Sequence, residues 1–398
     1  MLEDLSFKEQ VRNGLLETFG QVSRRFVRGA RRVEPGSRPR RILIIRPDHL
    51  GDLLFTTPAL TLLRRALPEA HIACLVGPWA KDVLSGNPDV DEVLTCDFPW
   101  FNRRPKRSLL EPYTLLRETA GRLATLHFDV AVNLRFDFWW GALLVYLAGI
   151  PEIVGYDWAG CRPFLTQALP YVPRRHEVEQ NIRLVTTLLD RSSPWLQEAR
   201  NIPVLFQTSA ADEAFVDRLL GGEVVDSSGP LFGIHPGSGA AIKLWTADGF
   251  AEVARTLLWR HGGSVVITGS AAERRLAEDI VERSGDKRVK VLAGQTTLGQ
   301  LAALFRRCSV VIGVDSGPLH LAVAMGAPTV HLFGPSDPAA FGPYGDARRH
   351  VIVSAGYGCS PCGRLDITAD EREVHTCVLA IEPQQVLDGV EAVLANDG

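Results

Sequence analysis

Two stretches of this chain repeat one pattern, and that repetition constrains the fold more than any other feature. In each, a short run of β-branched residues ends in a glycine-containing turn, and an apolar-periodic helix follows. The first series opens at Arg41-Ile-Leu-Ile-Ile-Arg46. Such a dense apolar run suits a parallel strand buried on both faces. Further strands are expected at 71–77, 91–98 and 128–134. The second series begins after the Gly/Ser-rich stretch 221–230, with strands at 231–235, 264–269, 309–315 and 328–333. Helices are expected near 248–261, 271–284, 298–307 and 318–326. Strand–helix alternation predicts a parallel sheet with helices on both faces. Ligands of such sheets bind outside the carboxyl ends of the strands. Two series in tandem therefore predict an α/β chain of two Rossmann-like domains facing a central cleft. The divisions are an N-terminal arm at 1–40, a first domain at 41–220, a linker at 221–230 and a second domain at 231–398. A last periodic helix near 383–396 fits either half.

At 398 residues the chain is long enough for two cores. Its 46% apolar and 22% charged content is that of a globular protein. A net charge of −3 argues against a general nucleic-acid binder, which neutralises many phosphates. The longest apolar run, 138–150, is too short to span a bilayer and reads as a buried helix. The N-terminus lacks the apolar core of a secretory signal, so a cytoplasmic location is expected. Seven scattered cysteines fit reduced thiols better than a disulfide framework.

In the arm, Phe7, Val11, Leu15, Phe19, Val22 and Phe26 recur at the period of one helical face. Arg24, Arg25, Arg28, Arg31, Arg32, Arg38, Arg40 and Arg41 follow, against the single acid Glu34. Two readings stay open. A basic amphipathic helix can contact an anionic inner membrane, or the helix packs on its own domain and leaves a solvated basic tail.

Three turns carry the chemistry. In Arg46-Pro-Asp-His-Leu-Gly-Asp52, a helix starting near Leu53 sets Asp52 at its N-terminus, where a carboxylate can take a proton as general base or simply cap the helix. The turn His235-Pro-Gly-Ser-Gly-Ala-Ala-Ile-Lys-Leu-Trp245 offers backbone N–H groups around Gly237 and Ser238, with Lys243 adding a mobile charge. It suits a departing pyrophosphate, or it is a surface loop. In Gly313-Val-Asp-Ser-Gly-Pro-Leu-His320, Pro318 suits the first helical position, so Asp315, Ser316 and Gly317 are expected at the positive end of a helix dipole, which suits a diphosphate, or the segment is an ordinary strand-to-helix turn capped by Asp or Ser. Glu273, in Gly269-Ser-Ala-Ala-Glu273, either meets a nucleoside or complements its helix dipole.

Taken together, the segments 46–58 (RPDHLGDLLFTTP), 235–250 (HPGSGAAIKLWTADGF), 266–274 (VITGSAAER) and 313–335 (GVDSGPLHLAVAMGAPTVHLFGP) resemble the heptosyltransferase family, glycosyltransferase family 9. The resemblance implies a GT-B fold, with the acceptor on the N-terminal half and the nucleotide sugar on the C-terminal half. It implies inverting, metal-independent transfer of heptose from ADP-heptose to a lipopolysaccharide core-type acceptor, with no cofactor beyond the donor. By position, Asp52 matches the base and Lys243 the phosphate-binding lysine. The stretch from Asp315 to His320 matches the diphosphate loop, and Glu273 a position near the nucleoside.

For the glycolipid or oligosaccharide acceptor, the candidates are Arg103, Arg104 and Arg107, with Lys106 beside them, and Arg135 with Asp137 past another strand. A solvated basic loop is the plainer account of 103–107. Cys359, Cys362, His375 and Cys377 have a spacing that could hold zinc, or they are reduced thiols. Two other functions share the pattern: a nucleotide-sugar epimerase of similar build, and a non-catalytic sugar-binding relative.

Overall fold

The computed structural model describes residues 7–23, 39–102, 104, 108, 110–222, 229–366 and 371–396. They form two compact units, Met1–Ile202 and Pro203–Gly398.

The first unit holds one six-stranded sheet: β1 (Arg41–Arg46), β2 (His71–Val76), β3 (Glu92–Thr95), β4 (Val130–Asn133), β5 (Glu152–Tyr156) and β6 (Gln167–Leu169). The strand order is β3-β2-β1-β4-β5-β6, and every pairing is parallel. The order reverses between β1 and β4, which pair through Ile45 and Asn133 at their carboxyl ends. That reversal opens a crevice where ligands of doubly wound sheets bind. Ile42 to Ile45 and Val130 to Val132 are buried, as a sheet covered on both faces requires. The helix Trp139–Leu147 supplies Trp140, Leu144 and Val145 to this core. It is the buried helix expected at 138–150.

The second unit repeats the architecture with β7 (Leu231–His235), β8 (Ser264–Ile267), β9 (Val289–Val291), β10 (Val310–Val314), β11 (Thr329–Leu332) and β12 (His350–Val353). The order β12-β11-β10-β7-β8-β9 is the same winding, again all parallel, with the reversal between β7 and β10. The C-terminal helix Pro383–Asn396 buries Val386, Leu387, Val390 and Val393 in this unit's core, which decides the assignment the sequence leaves open.

Four strands escape the sequence reading: β5, β6, β9 and β12. The boundary also moves. The sequence reading puts 210–220 in the first domain, but the helix Ala210–Leu220 belongs to the second unit. Its Glu213 meets Arg306 at 2.9 Å and its Asp217 meets Arg307 at 2.9 Å, both across to the helix Leu298–Arg306 and its cap. The division falls at 202/203 instead of in the expected linker, of which 223–228 lie outside the described residues.

Residues 24–38, most of the basic arm, also lie outside the described residues. The helix Phe7–Ser23 packs on the first unit mainly by the side away from its apolar stripe. Among the described residues of that stripe Phe19 alone makes a ring contact, its ring centre 6.3 Å from that of Phe164. Gly20 abuts Pro163 too closely for a Cβ, the Ser23 hydroxyl lies 2.9 Å from that of Tyr146, and the Arg12 guanidinium stands 5.5 Å from the Trp139 ring centre. Among the described residues, no helix is long and apolar enough to cross a membrane.

Candidate functional site

In the first unit the chemistry gathers at the carboxyl ends of β1 and β4. Arg46, the last residue of β1, is 3% exposed and organises the cluster. Its Nε lies 2.7 Å from Asp48 Oδ2, and its Nη2 donates to Asp52 Oδ1 at 3.2 Å and to Glu177 Oε2 at 3.1 Å. Its Nη1 donates to Glu177 at 3.2 Å and to Asn181 Oδ1 at 3.3 Å. Glu177 and Asn181 are four residues apart on the helix Glu177–Val185, hence on one face. Arg135, just past β4, pairs with Asp48 and donates from Nε to Asp137 Oδ1 at 2.6 Å.

The charges divide the carboxylates into two kinds. Burial opposes ionisation of Asp48, but Arg46 and Arg135 outweigh it and hold its carboxyl below the usual range. Asp52 goes the other way: burial, then the neighbouring Asp48 carboxylate, push it up, against the pull of Arg46 and Arg135. Burial likewise raises Glu177 against Arg46. Asp52 sits in the first turn of the helix Leu50–Leu54, whose cap is His49; its side chain reaches Arg46 and stays 30% exposed. A carboxylate made more basic than usual, and still open to solvent, can accept a proton.

In the second unit the corresponding carboxyl ends, of β7 and β10, hold the second cluster. Lys243 Nζ lies 2.6 Å from Asp315 Oδ2, and His320 Nε2 lies 3.6 Å from Asp315 Oδ1. Burial works against the Asp315 carboxylate, but His320 and Lys243 prevail and keep it far below the normal range. Ser316 caps the helix Gly317–Ala324 in extended conformation, with Pro318 in its first turn. In that first turn Pro318 carries no N–H, and Leu319 N and His320 N donate to Ser316 O at 3.1 and 3.4 Å, so the helix end offers an anion its positive dipole beside the Lys243 ammonium rather than a row of free donors. The Ser316 hydroxyl is buried with no hydrogen-bond partner among the described residues.

Gly237, past β7, has the Glu273 carboxylate against its Cα, where a Cβ would overlap it. Glu273 is itself engaged: its Oε2 accepts from Ser270 N at 2.7 Å and Ser270 Oγ at 2.8 Å, closing a capping box. Ser238 Oγ accepts from Ala240 N at 3.4 Å, folding the turn that carries Lys243. His235 is lowered to about 4 by burial, opposed by Glu273, and so stays neutral near pH 7.

The acceptor candidates separate. Arg135 lies inside the first cluster, whereas Arg104 is exposed and pairs with Asp97 at 3.3 Å. Arg103, Lys106 and Arg107 lie outside the described residues. Of the zinc alternative at Cys359, Cys362, His375 and Cys377, the three cysteines lie close enough together that Cys362 and Cys359, after burial, push the Cys377 thiol up. Among the described residues no three His, Cys, Asp or Glu side chains are placed to hold a metal. Cys377 turns into the second core while Cys359 and Cys362 stay on an exposed loop.

Sequence reading missed Asp48, Glu177 and Asn181. Asp48 stood within a quoted motif, but nothing local ties residues 177 and 181 to Arg46.

A sequence profile described as "Glycosyltransferase family 9 (heptosyltransferase)" matches residues 117–370, well over half of the chain. The chain belongs to glycosyltransferase family 9. This glycosyltransferase is 26% identical to lipopolysaccharide heptosyltransferase 2 of Salmonella typhimurium over 90% of its own length and 99% of that protein's. Its fold matches a family 9 glycosyl transferase from Veillonella parvula with a TM-score of 0.72, at 25% identity, over 89% of this chain and 97% of that one. Escherichia coli ADP-heptose lipopolysaccharide heptosyltransferase II shares the fold at a TM-score of 0.67 and 23% identity, over 90% and 99% of the two chains. Two Rossmann-like units of the GT-B class are thus what this glycosyltransferase and its structural neighbours have in common.

Proposed function

We propose that this family 9 glycosyltransferase moves a heptose from an ADP-linked donor to a hydroxyl of a lipopolysaccharide core-type acceptor, with inversion at the anomeric carbon. The donor and acceptor classes are carried from the printed names of its relatives. One observation of the chain itself supports the chemistry: Asp52, beside the point where the first sheet reverses, is a partly exposed carboxylate pushed up in basicity. In this reading Asp52 takes the proton of the acceptor hydroxyl as its oxygen attacks the anomeric carbon opposite the phosphate. A single displacement from that side inverts the centre.

The departing ADP gathers negative charge, so the second unit supplies the other requirement. Lys243 and the positive dipole end of the helix Gly317–Ala324 offer positive charge for a diphosphate. These groups take the part that a metal plays elsewhere, and the reading calls for none. Asp315 and His320 hold Lys243 ready, while Gly237, Ser238 and Glu273 shape the turn that carries it. Arg135, with an aromatic ring 5.1 Å away in Phe101, is the acceptor-side cation. A nucleotide-sugar donor puts the reaction on the cytoplasmic side of the membrane, where such donors are made.

The test is transfer to a heptose-deficient core acceptor, followed by mass spectrometry of the product. Asp52→Asn keeps donor affinity but lowers turnover by about 100-fold or more, while Lys243→Ala weakens both donor binding and turnover. Unchanged turnover in Asp52→Asn removes the base from its role, and unchanged donor affinity in Lys243→Ala moves the diphosphate elsewhere.

A further inference from the structure

We propose that the outward apolar face of the helix Phe7–Ser23 is a docking surface for an anionic lipid bilayer. The helix has two distinct sides. One is committed to the first unit, through Gly20 on Pro163, Leu16 against the core, Arg12 over Trp139 and Ser23 beside Tyr146. The other carries Phe7, Val11, Leu15, Phe19 and Val22, which are 80, 46, 68, 45 and 55% exposed. At steps of three and four these five side chains form one continuous stripe rather than scattered apolar residues. A domain that needed the whole stripe for its own core would have turned it inward; here Leu16 and Gly20 do the packing with Arg12 and Ser23, and of the stripe Phe19 reaches the unit at its edge, its ring centre 6.3 Å from that of Phe164.

Charge identifies the occupant. The exposed Lys8 lies on the stripe's side of the helix, and the sequence that continues from Ser23 carries eight arginines against one acid up to Arg41. An apolar face flanked by cations lies in the headgroup region of a bilayer, its side chains reaching the acyl boundary. Anionic headgroups attract that charge. A second copy of the chain would bring the same arginine excess and be repelled by it. The anchored side of the helix would then hold the first unit at the surface where a glycolipid acceptor resides. This inference is independent of the role given to Asp52.

Flotation of the full chain with vesicles tests it. The unaltered protein should float with phosphatidylethanolamine–phosphatidylglycerol vesicles, and about tenfold less with phosphatidylcholine vesicles or in high salt. The variant carrying Phe7→Asp and Leu15→Asp alters two outward positions, so its unfolding transition should be unchanged while its partition falls by about tenfold or more. Partition insensitive to lipid charge and salt overturns the proposal. So does partition unaffected by the double substitution, including the case where that substitution instead splits a dimer into monomers by light scattering. If the variant does not fold, the lipid and salt comparisons on the unaltered chain still decide.

Discussion

Arg46→Met places an apolar side chain of similar length at the centre of the first cluster. In the unaltered protein the guanidinium meets Asp48, Asp52, Glu177 and Asn181 at 2.7 to 3.3 Å. Asp48 keeps Arg135 as a partner, and Asp52 is 30% exposed, so solvent relieves part of its loss. Glu177 has less refuge: its side chain is 6% exposed, the neutral Tyr171 hydroxyl is the hydrogen-bond partner it keeps, and the nearby Asp52 and Asp48 both oppose its charge. Removing one partner of a buried ion pair costs about 3–5 kcal/mol; the two relieved carboxylates put the expectation near the lower figure. For a unit of about 200 residues each kcal/mol moves the midpoint by about 2–4 °C, so its transition should fall by roughly 6–12 °C.

The pH dependence makes the argument sharper. Burial already raises Glu177 above its ordinary value, and losing Arg46 raises it further. A carboxyl whose folded-state pKa lies above its unfolded one makes the folded state bind more protons, so its stability falls as pH rises through that pKa. The deficit of the variant should therefore be largest near about pH 8 and shrink towards about pH 5. Differential scanning calorimetry of both proteins across this range measures it. A deficit that grows on acidification, or one below about 1 kcal/mol at neutral pH, would refute the placement of Arg46 as the cation that stabilises buried Glu177.

Two further outcomes follow from the same geometry. Asp48→Asn removes the carboxylate that helps push Asp52 up, so the acidic limb of the kcat/KM profile should move to lower pH; a shift the other way would place a different group on that limb. Gly237→Ala sets a methyl into the Glu273 carboxylate, so Glu273 should leave its Ser270 cap, lowering the second unit's stability by about 1 kcal/mol. An unchanged melting midpoint would show that the turn gives way instead.

Much of the fold was legible because strands buried on both faces leave dense apolar runs. β1, β2, β4, β7, β8, β10 and β11 all fall in such stretches. β6 and β9 have three residues each, too few for a pattern, and β5 contains Gly155. β12 lies at a sheet edge, with one residue of its four exposed. The boundary was misplaced because sequence registers flexible composition at 221–230, whereas membership of the helix Ala210–Leu220 is set by what it packs against.

The sequence by itself determined the two parallel sheets, the turns at their carboxyl ends and the residues, Asp52 and Lys243 among them, that those turns present. Local composition decides where a strand stops and a helix begins, and parallel winding then sends each such turn to one end of its sheet. Only the tertiary structure decided which groups share a charge environment. Glu177 stands 131 residues from Arg46 in the chain yet 3.1 Å from its guanidinium. It also decided which side of the N-terminal helix faces outward, since periodicity marks an apolar stripe without saying whether protein or solvent lies against it.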